Sequence, residues 1–131
     1  MQRHCENGEK ISRFLKTHPK VGKVYWPVFE DHPNHDIAKK QMSGFGGMIS
    51  FTTSEDTLES AVRVVENLKV FTLAESLGGV ESLAGHPASM THASIPVEER
   101  EKTGVVDSLI RLSVGIEDDE DLIEDLKQAL G

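Results

Sequence analysis

The stretch that decides the fold reads Leu109-Ile110-Arg111-Leu112-Ser113-Val114-Gly115. Its short apolar run predicts a β-strand that is buried on at least one face. Arg111 interrupts the run, and its guanidinium stays charged, so it must meet an anion or water. Two interpretations are open. The guanidinium holds a substrate carboxylate by two parallel hydrogen bonds, or it forms an ion pair with an acidic residue nearby.

The segments on the N-terminal side of this stretch supply the rest of the sheet and most of the helices. Apolar patterning predicts three further strands, at 21–26, 48–52 and 70–74. Helical periodicity predicts helices at 2–17, 32–42, 54–68, 96–102 and 117–130. Ser54 is predicted to cap the third helix, and the acidic run 117–121 to begin the last. We therefore predict one α+β domain over 1–131, an α/β sandwich in which about four strands carry helices mainly on one face.

A stretch without periodicity, 80–95, separates a glycine pair from Pro96 and is predicted to be irregular. Long ordered loops in small domains are often functional, so this loop is the first place to seek a site. His86 and His92 lie in it. A histidine there can act as a general base, but packing and surface histidines are much more common.

Composition narrows the choice of partners and compartment. The 131 residues carry a net charge of −8, which repels nucleic acid and anionic membranes, so we expect neither as a partner. The single cysteine, Cys5, excludes an internal disulfide and agrees with a cytoplasmic location. His32 and His35 lack further ligands at metal-binding spacing, so we predict no metal site. No apolar run is long enough for a transmembrane helix, and the polar start is not a signal peptide.

Three segments of the chain together resemble one enzyme family. They read FTLAESLGGVESL at 71–83, MTHAS at 90–94 and LIRLSVGIE at 109–117. In this order and spacing they resemble the C-terminal domain of the transsulfuration enzymes of cysteine and methionine metabolism. These enzymes depend on pyridoxal phosphate (PLP) and have the aspartate-aminotransferase-like fold. They include cystathionine γ-synthase, cystathionine γ-lyase, cystathionine β-lyase and methionine γ-lyase. The resemblance extends over essentially the whole chain.

The resemblance implies a substrate-carboxylate site. In the family, the arginine that matches Arg111 clamps the α-carboxylate of the amino-acid substrate. Ser76 then helps to bind that carboxylate, and Thr91 lies in the same pocket and supports the arginine. Glu75 lines the channel for the substrate side chain, and Leu77 completes the substrate-binding set. An acid at the position of Glu75 is typical of γ-synthases and γ-lyases. The resemblance thus favours γ-elimination or γ-replacement on sulfur amino acids over a β-lyase or methionine γ-lyase activity.

One departure from the family is large. The cofactor lysine of the family lies in an S-x-T-K type motif, which none of the nine lysines here reproduces. The glycines that bind the cofactor phosphate, the stacking aromatic ring and the aspartate for the pyridine nitrogen also lack counterparts, and PLP chemistry needs such partners. We therefore expect a C-terminal domain without its PLP-binding domain, inactive alone and without bound cofactor, from a cytoplasmic homotetramer. Two alternatives are a non-catalytic folded module and an unrelated ferredoxin-like ligand-binding domain.

Overall fold

Five strands and five helices make up the chain in the computed structural model, which describes residues 1–131. The strands are β1 (Val21–Tyr25), β2 (Met48–Thr53), β3 (Thr72–Leu73), β4 (Leu83–Gly85) and β5 (Leu109–Ser113). The helices are α1 (Gln2–Thr17), α2 (His35–Gln41), α3 (Leu58–Asn67), α4 (Val97–Lys102) and α5 (Asp119–Leu130). None of the helices combines the length and apolar character that crossing a bilayer requires.

The strand that contains Arg111 occupies the centre of the sheet. The strand order is β1-β2-β5-β4-β3, and β5 pairs antiparallel with both of its neighbours, whereas β3 and β4 run parallel. The α+β class is confirmed, but the sheet has five strands rather than about four. The additional strand, β4, lies within the stretch that the sequence predicted to be irregular. It is only three residues long and is defined by its pairing with β3 and β5.

The two faces of the sheet differ in chemistry because successive side chains of a strand alternate in direction. One face is apolar and joins the helices in a single core, in which the most buried members are Ile49, Phe51, Ile110 and Leu112 from the sheet, Ile11 and Leu15 from α1, Ala61 from α3, and Leu122 and Leu126 from α5. The other face carries Arg111 and Ser113. Ser50 and Gly85 are the cross-strand partners of Arg111. The central strand therefore presents a cation on the face opposite the helical core.

Side-chain caps account for the observed starts of α3 and α5, which lie later than the predicted ones. Thr57, not Ser54, caps α3, since its hydroxyl accepts the Ser60 backbone N–H at 3.2 Å in a capping box. Asp118 caps α5 through the Glu120 backbone N–H, so Glu117 lies outside the helix. The start of α2 is three residues later than predicted, and only Ala38 of this helix is buried.

Helix α1 lies directly against the end of the sheet. A Cβ at Gly8 would overlap the Gly46 carbonyl oxygen, so only glycine allows this approach between the helix and the turn. Asn7, fully buried beside it, donates hydrogen bonds to the carbonyl oxygens of Gly115 and Glu117, at 3.0 and 2.8 Å. The segment that follows β5 is thereby fixed to α1.

Stability should fall on the acid side of neutrality because of His18, which ends α1. Its Nδ1 accepts the backbone N–H of Lys20 at 3.1 Å, which requires an unprotonated nitrogen. Burial, and secondarily the Lys20 ammonium, lowers the pKa of His18 below 6.5. The unfolded chain therefore binds the proton more tightly. The free energy of unfolding should decrease as the pH falls through about 6.5 and level off below the pKa of the folded state.

Urea unfolding of the chain between about pH 5 and pH 8 tests this expectation, since that range brackets the histidine titration. The His18→Gln variant should show a flatter pH dependence than the parent. His92→Gln, in the 80–95 stretch, is the control and should keep the parent slope. Equal slopes for His18→Gln and the parent chain would contradict the assignment.

Candidate functional site

The guanidinium of Arg111 is held by main-chain carbonyls rather than by a carboxylate. Its Nη2 donates to the carbonyl oxygen of Glu75 at 3.3 Å and to that of Ser76 at 3.5 Å, the second at the limit of a hydrogen bond. Each of the four other arginines has a carboxylate within 4.0 Å, and Arg111 has none. The ion pair that the sequence left open is therefore absent, and the N–H groups on Nε and Nη1 have no partner in the chain.

A small hollow surrounds this guanidinium where the ends of β3 and β4 meet β5. It is partly open to solvent, is too narrow to hold a water molecule, and is lined by Ala74, Glu75, Gly85, His86, Pro87, Met90, Thr91 and Arg111. The structure thus brings Glu75, Thr91 and Arg111 together, although they are far apart in the sequence. The side chains of Glu75 and Thr91 form no ion pair or hydrogen bond with the guanidinium of Arg111.

The other two predicted residues, Ser76 and Leu77, are not among those that line this hollow. Ser76 contributes its carbonyl oxygen to Arg111, and its side chain is exposed. Leu77 is 53% exposed and does not line the hollow. The hydroxyl of Thr91 lies 2.7 Å from Nδ1 of His92 rather than against the guanidinium. Direct contact of these side chains with a carboxylate stays a prediction.

The strand that supplies Arg111 also holds the loop that contains Ser76. Two residues beyond Arg111, the hydroxyl of Ser113 accepts the backbone N–H of Gly78 at 2.7 Å. Gly78 has φ +79°, a backbone conformation that favours glycine. Ser113 is not among the predicted site residues, although strand alternation places it on the same face as Arg111 and so signals its proximity.

Glu117 has a different role from the one its sequence context predicted. As the first residue of an acidic run it is predicted to belong to the start of the last helix. In the structure its carboxylate accepts the backbone N–H of Ser82 at 2.6 Å and the Ser82 hydroxyl at 2.7 Å. The two residues are 35 positions apart, so no local pattern could have revealed this contact.

The geometry of His86 is that of a structural histidine. It is 1% exposed, and its Nε2 lies 2.6 Å from the carbonyl oxygen of Asp107. Because a carbonyl only accepts, Nε2 carries the proton, and a neutral ring then accepts at Nδ1 from the Ser89 hydroxyl, 2.7 Å away. Both nitrogens are thus engaged, which does not support a role for His86 as a general base. No group of three or more His, Cys, Asp or Glu side chains is arranged to hold a metal ion.

The fold and the site define an α+β domain whose central strand carries an arginine without an ion pair, and comparison with known proteins shows the family. The family model described as Cys/Met metabolism PLP-dependent enzyme matches residues 1–131. The chain therefore belongs to this family, and the resemblance noted in the sequence is confirmed.

Three curated relatives illustrate the range of activities in the family. The chain is 62% identical over 131 residues to the cystathionine beta-lyase of Lactococcus lactis subsp. cremoris (strain MG1363). It is 54% identical over 130 residues to the cystathionine gamma-lyase of Mus musculus. It is 52% identical over 130 residues to the L-methionine gamma-lyase of Fusobacterium nucleatum subsp. polymorphum. These matches include 99% of this chain but only 32–34% of each relative, so the chain spans about a third of their length.

The residues around Arg111 do not form a complete site for PLP. An enzyme of this type holds the cofactor through a lysine and tunes its ring with a partner at the pyridine nitrogen. No lysine is among the residues that line the hollow. The residues that line the hollow therefore do not fit the cofactor by themselves.

Proposed function

We propose that this chain is the substrate-carboxylate-binding domain of a longer PLP-dependent enzyme that acts on sulfur amino acids. The observation that carries the proposal is the unpaired guanidinium of Arg111 on the polar face of the central strand. A carboxylate is the ligand that best matches such a planar, permanently charged donor group. Family membership supports an amino acid as the source of that carboxylate.

The contribution of the chain to the reaction is orientation of the substrate. The carbonyl oxygens of Glu75 and Ser76 restrain Nη2 and so fix the direction of the guanidinium. The three N–H groups on Nε and Nη1 stay available for a carboxylate. An α-carboxylate held there fixes the rotation of the substrate about its α-carbon, and with it the direction of the bond that breaks. Positioning of this kind can supply several kcal/mol of a barrier reduction.

We propose γ-elimination or γ-replacement, as in cystathionine γ-lyase or γ-synthase, as the reaction type. Glu75 supports this choice, because an acid at this position resembles the γ-specific members of the family. Its side chain is exposed beside the hollow, where a substrate side chain can reach it. The second candidate is cleavage at the β-carbon. The 62% identity to a cystathionine beta-lyase favours it, whereas the 52% identity to a methionine gamma-lyase gives weaker support to that activity.

Product analysis with the full-length enzyme separates these reactions. With uptake of one water, cleavage of cystathionine at its γ-carbon yields 2-oxobutyrate, ammonia and cysteine, and cleavage at its β-carbon yields pyruvate, ammonia and homocysteine. We expect 2-oxobutyrate as the main oxo acid from cystathionine. If the enzyme is a synthase, we expect it to form cystathionine when O-succinylhomoserine and cysteine are supplied. Pyruvate as the main oxo acid would establish the second candidate, and no turnover of any sulfur amino acid would contradict the proposal.

We propose that the cofactor site and the contacts of a homotetramer lie outside this chain, which is inactive alone. Mixing the chain with PLP tests this, and we expect neither a stoichiometric protein-bound absorbance nor formation of oxo acid from cystathionine. Loading of one lysine together with turnover would contradict the proposal. If the full-length enzyme is inactive as well, the chain is a folded module without a catalytic role.

A further inference from the structure

The loop between β3 and β4, residues 74–82, is attached along its length to a single segment of the chain. Arg111 contacts the start of this loop through the carbonyls of Glu75 and Ser76. Ser113 accepts the N–H of Gly78 at 2.7 Å. The backbone of the same segment then donates from Ile116 to the Val80 carbonyl at 2.9 Å. The loop and the strand segment thus form one structural unit. Their contact at the C-terminal end of the loop fixes the position of that end.

That last contact is the bond between Glu117 and Ser82. Ser82 is fully buried, and its hydroxyl has two partners: it donates to Glu117 at 2.7 Å and accepts the Gly115 backbone N–H at 2.8 Å. The second carboxylate oxygen of Glu117 accepts the Ser82 backbone N–H at 2.6 Å. Asn7 holds the opposite side by donating to the Gly115 and Glu117 carbonyls. The Glu117 carboxylate therefore joins the loop end to the strand end, and the backbone carbonyls of Gly115 and Glu117 attach that strand end to α1.

The carboxylate of Glu117 bonds to Ser82 and to no cationic side chain. No lysine, arginine or histidine lies within 4.0 Å of its carboxylate, in contrast to Asp119, which pairs with Lys10 and Arg3. Both oxygens of Glu117 are directed at one residue, which fixes the orientation of that residue more tightly than a single bond. Hydrogen bonds to an ionised acceptor are about twice as strong as neutral ones.

We propose that Glu117 is a positioning residue for the substrate-carboxylate site: by clamping Ser82 it fixes the 74–82 loop, and hence Ser76, relative to Arg111. The inference rests on the proposed function, because it assigns Glu117 to the carboxylate site of Arg111. Glu117 does not touch the substrate. It acts through Ser82 and the loop, so its loss loosens the site without removing a ligand from it.

The Glu117→Gln substitution in the full-length enzyme tests the proposal. Glutamine keeps the shape of the side chain but has no charge and only one acceptor oxygen, so it cannot accept from the Ser82 backbone N–H and from the Ser82 hydroxyl with separate oxygens as Glu117 does. We expect KM for the amino acid to rise about tenfold with kcat changed by less than about threefold, because the loss falls on substrate binding. Glu117→Asp, which keeps both oxygens and the charge, should recover part of the affinity. Glu120→Gln removes the same charge from the same acidic run, where no partner is bonded, and should behave as the parent.

Two further measurements separate positioning from general destabilisation. The Glu117→Gln and Ser82→Ala variants should have non-additive effects on KM, because the two residues act through one contact. Inhibition by an amino acid should weaken in Glu117→Gln, whereas inhibition by its carboxamide, which lacks the charged group, should change little. Equal losses for the two inhibitors would overturn the inference. So would an unchanged KM in Glu117→Gln while Arg111→Ala raises it. An unchanged KM in Arg111→Ala would instead overturn the proposed function.

Discussion

Replacing Arg111 with alanine in the full-length enzyme is expected to raise KM for the amino-acid substrate by about 100-fold. Under the proposed function the substitution removes a charged contact with the substrate carboxylate, and the loss of such contacts costs about 2–5 kcal/mol, with each 1.4 kcal/mol equal to a factor of ten in affinity. The fold should tolerate the change, since Arg111 has no ion pair and its hydrogen bonds reach only two carbonyl oxygens. Steady-state kinetics with cystathionine and a thermal unfolding measurement provide the two readouts.

Matched variants show whether substrate binding depends on the positive charge of Arg111 or on the planar geometry of its guanidinium. Arg111→Lys keeps the positive charge but loses the planar fork, so its KM should lie between those of the parent and Arg111→Ala. Arg63→Ala removes an exposed arginine that pairs with Glu55 at 2.8 Å, and it should leave KM unchanged. If Arg111→Ala binds substrate as tightly as the parent does, the carboxylate is held elsewhere.

The Asp125→Asn substitution should produce the largest loss of stability, about 3 kcal/mol in the free energy of unfolding. Asp125 is 4% exposed, and its carboxylate accepts the backbone N–H groups of Lys69, Val70 and Phe71 at 2.8, 2.8 and 2.9 Å. An amide nitrogen cannot accept, so at least one of these donors loses its partner. A buried donor without a partner costs about 1–3 kcal/mol, and more when the lost acceptor is charged.

Urea unfolding of the chain measures this loss, with Asp121→Asn as the control. Asp121 lies one turn earlier on α5, is exposed and has no side-chain partner in the chain. The control removes the same charge, so it separates the lost hydrogen bonds from a general change in electrostatics. Similar unfolding free energies for the two variants would show that the connection from α3 to β3 does not depend on Asp125.

The parts of the fold that depend on local periodicity were predictable from the sequence. The bounds of α1 follow from apolar residues on one helical face, such as Ile11 and Leu15, and from the proline after His18. The strand at 48–53 follows from its alternation, with Ile49 and Phe51 inward. By contrast, β4 has three buried residues with no alternation, and only pairing with β5 and β3 makes it a strand.

The candidate site was predictable only in part, for a related reason. An arginine inside an apolar run is unusual enough to be noticed, whereas the acceptors that hold it are backbone carbonyls, which every residue has. The role of Glu117 was hidden because acids at a helix start are common and its partner is Ser82, in a distant segment. The family resemblance selected Glu75, Ser76 and Thr91. The structure added Ser113, Ser82 and Glu117, whose contacts exist only after folding.

Both margins of the sheet have a further consequence for how this domain meets other chains. The outer strand β1 has an irregular register between Val21 and Val24 and exposes Lys23, and the opposite margin, β3, is only two residues long. Neither offers a long, regular row of free N–H and C=O groups onto which a foreign strand could dock. Intermolecular sheet extension, a route to fibrous aggregates, is therefore disfavoured in the native state.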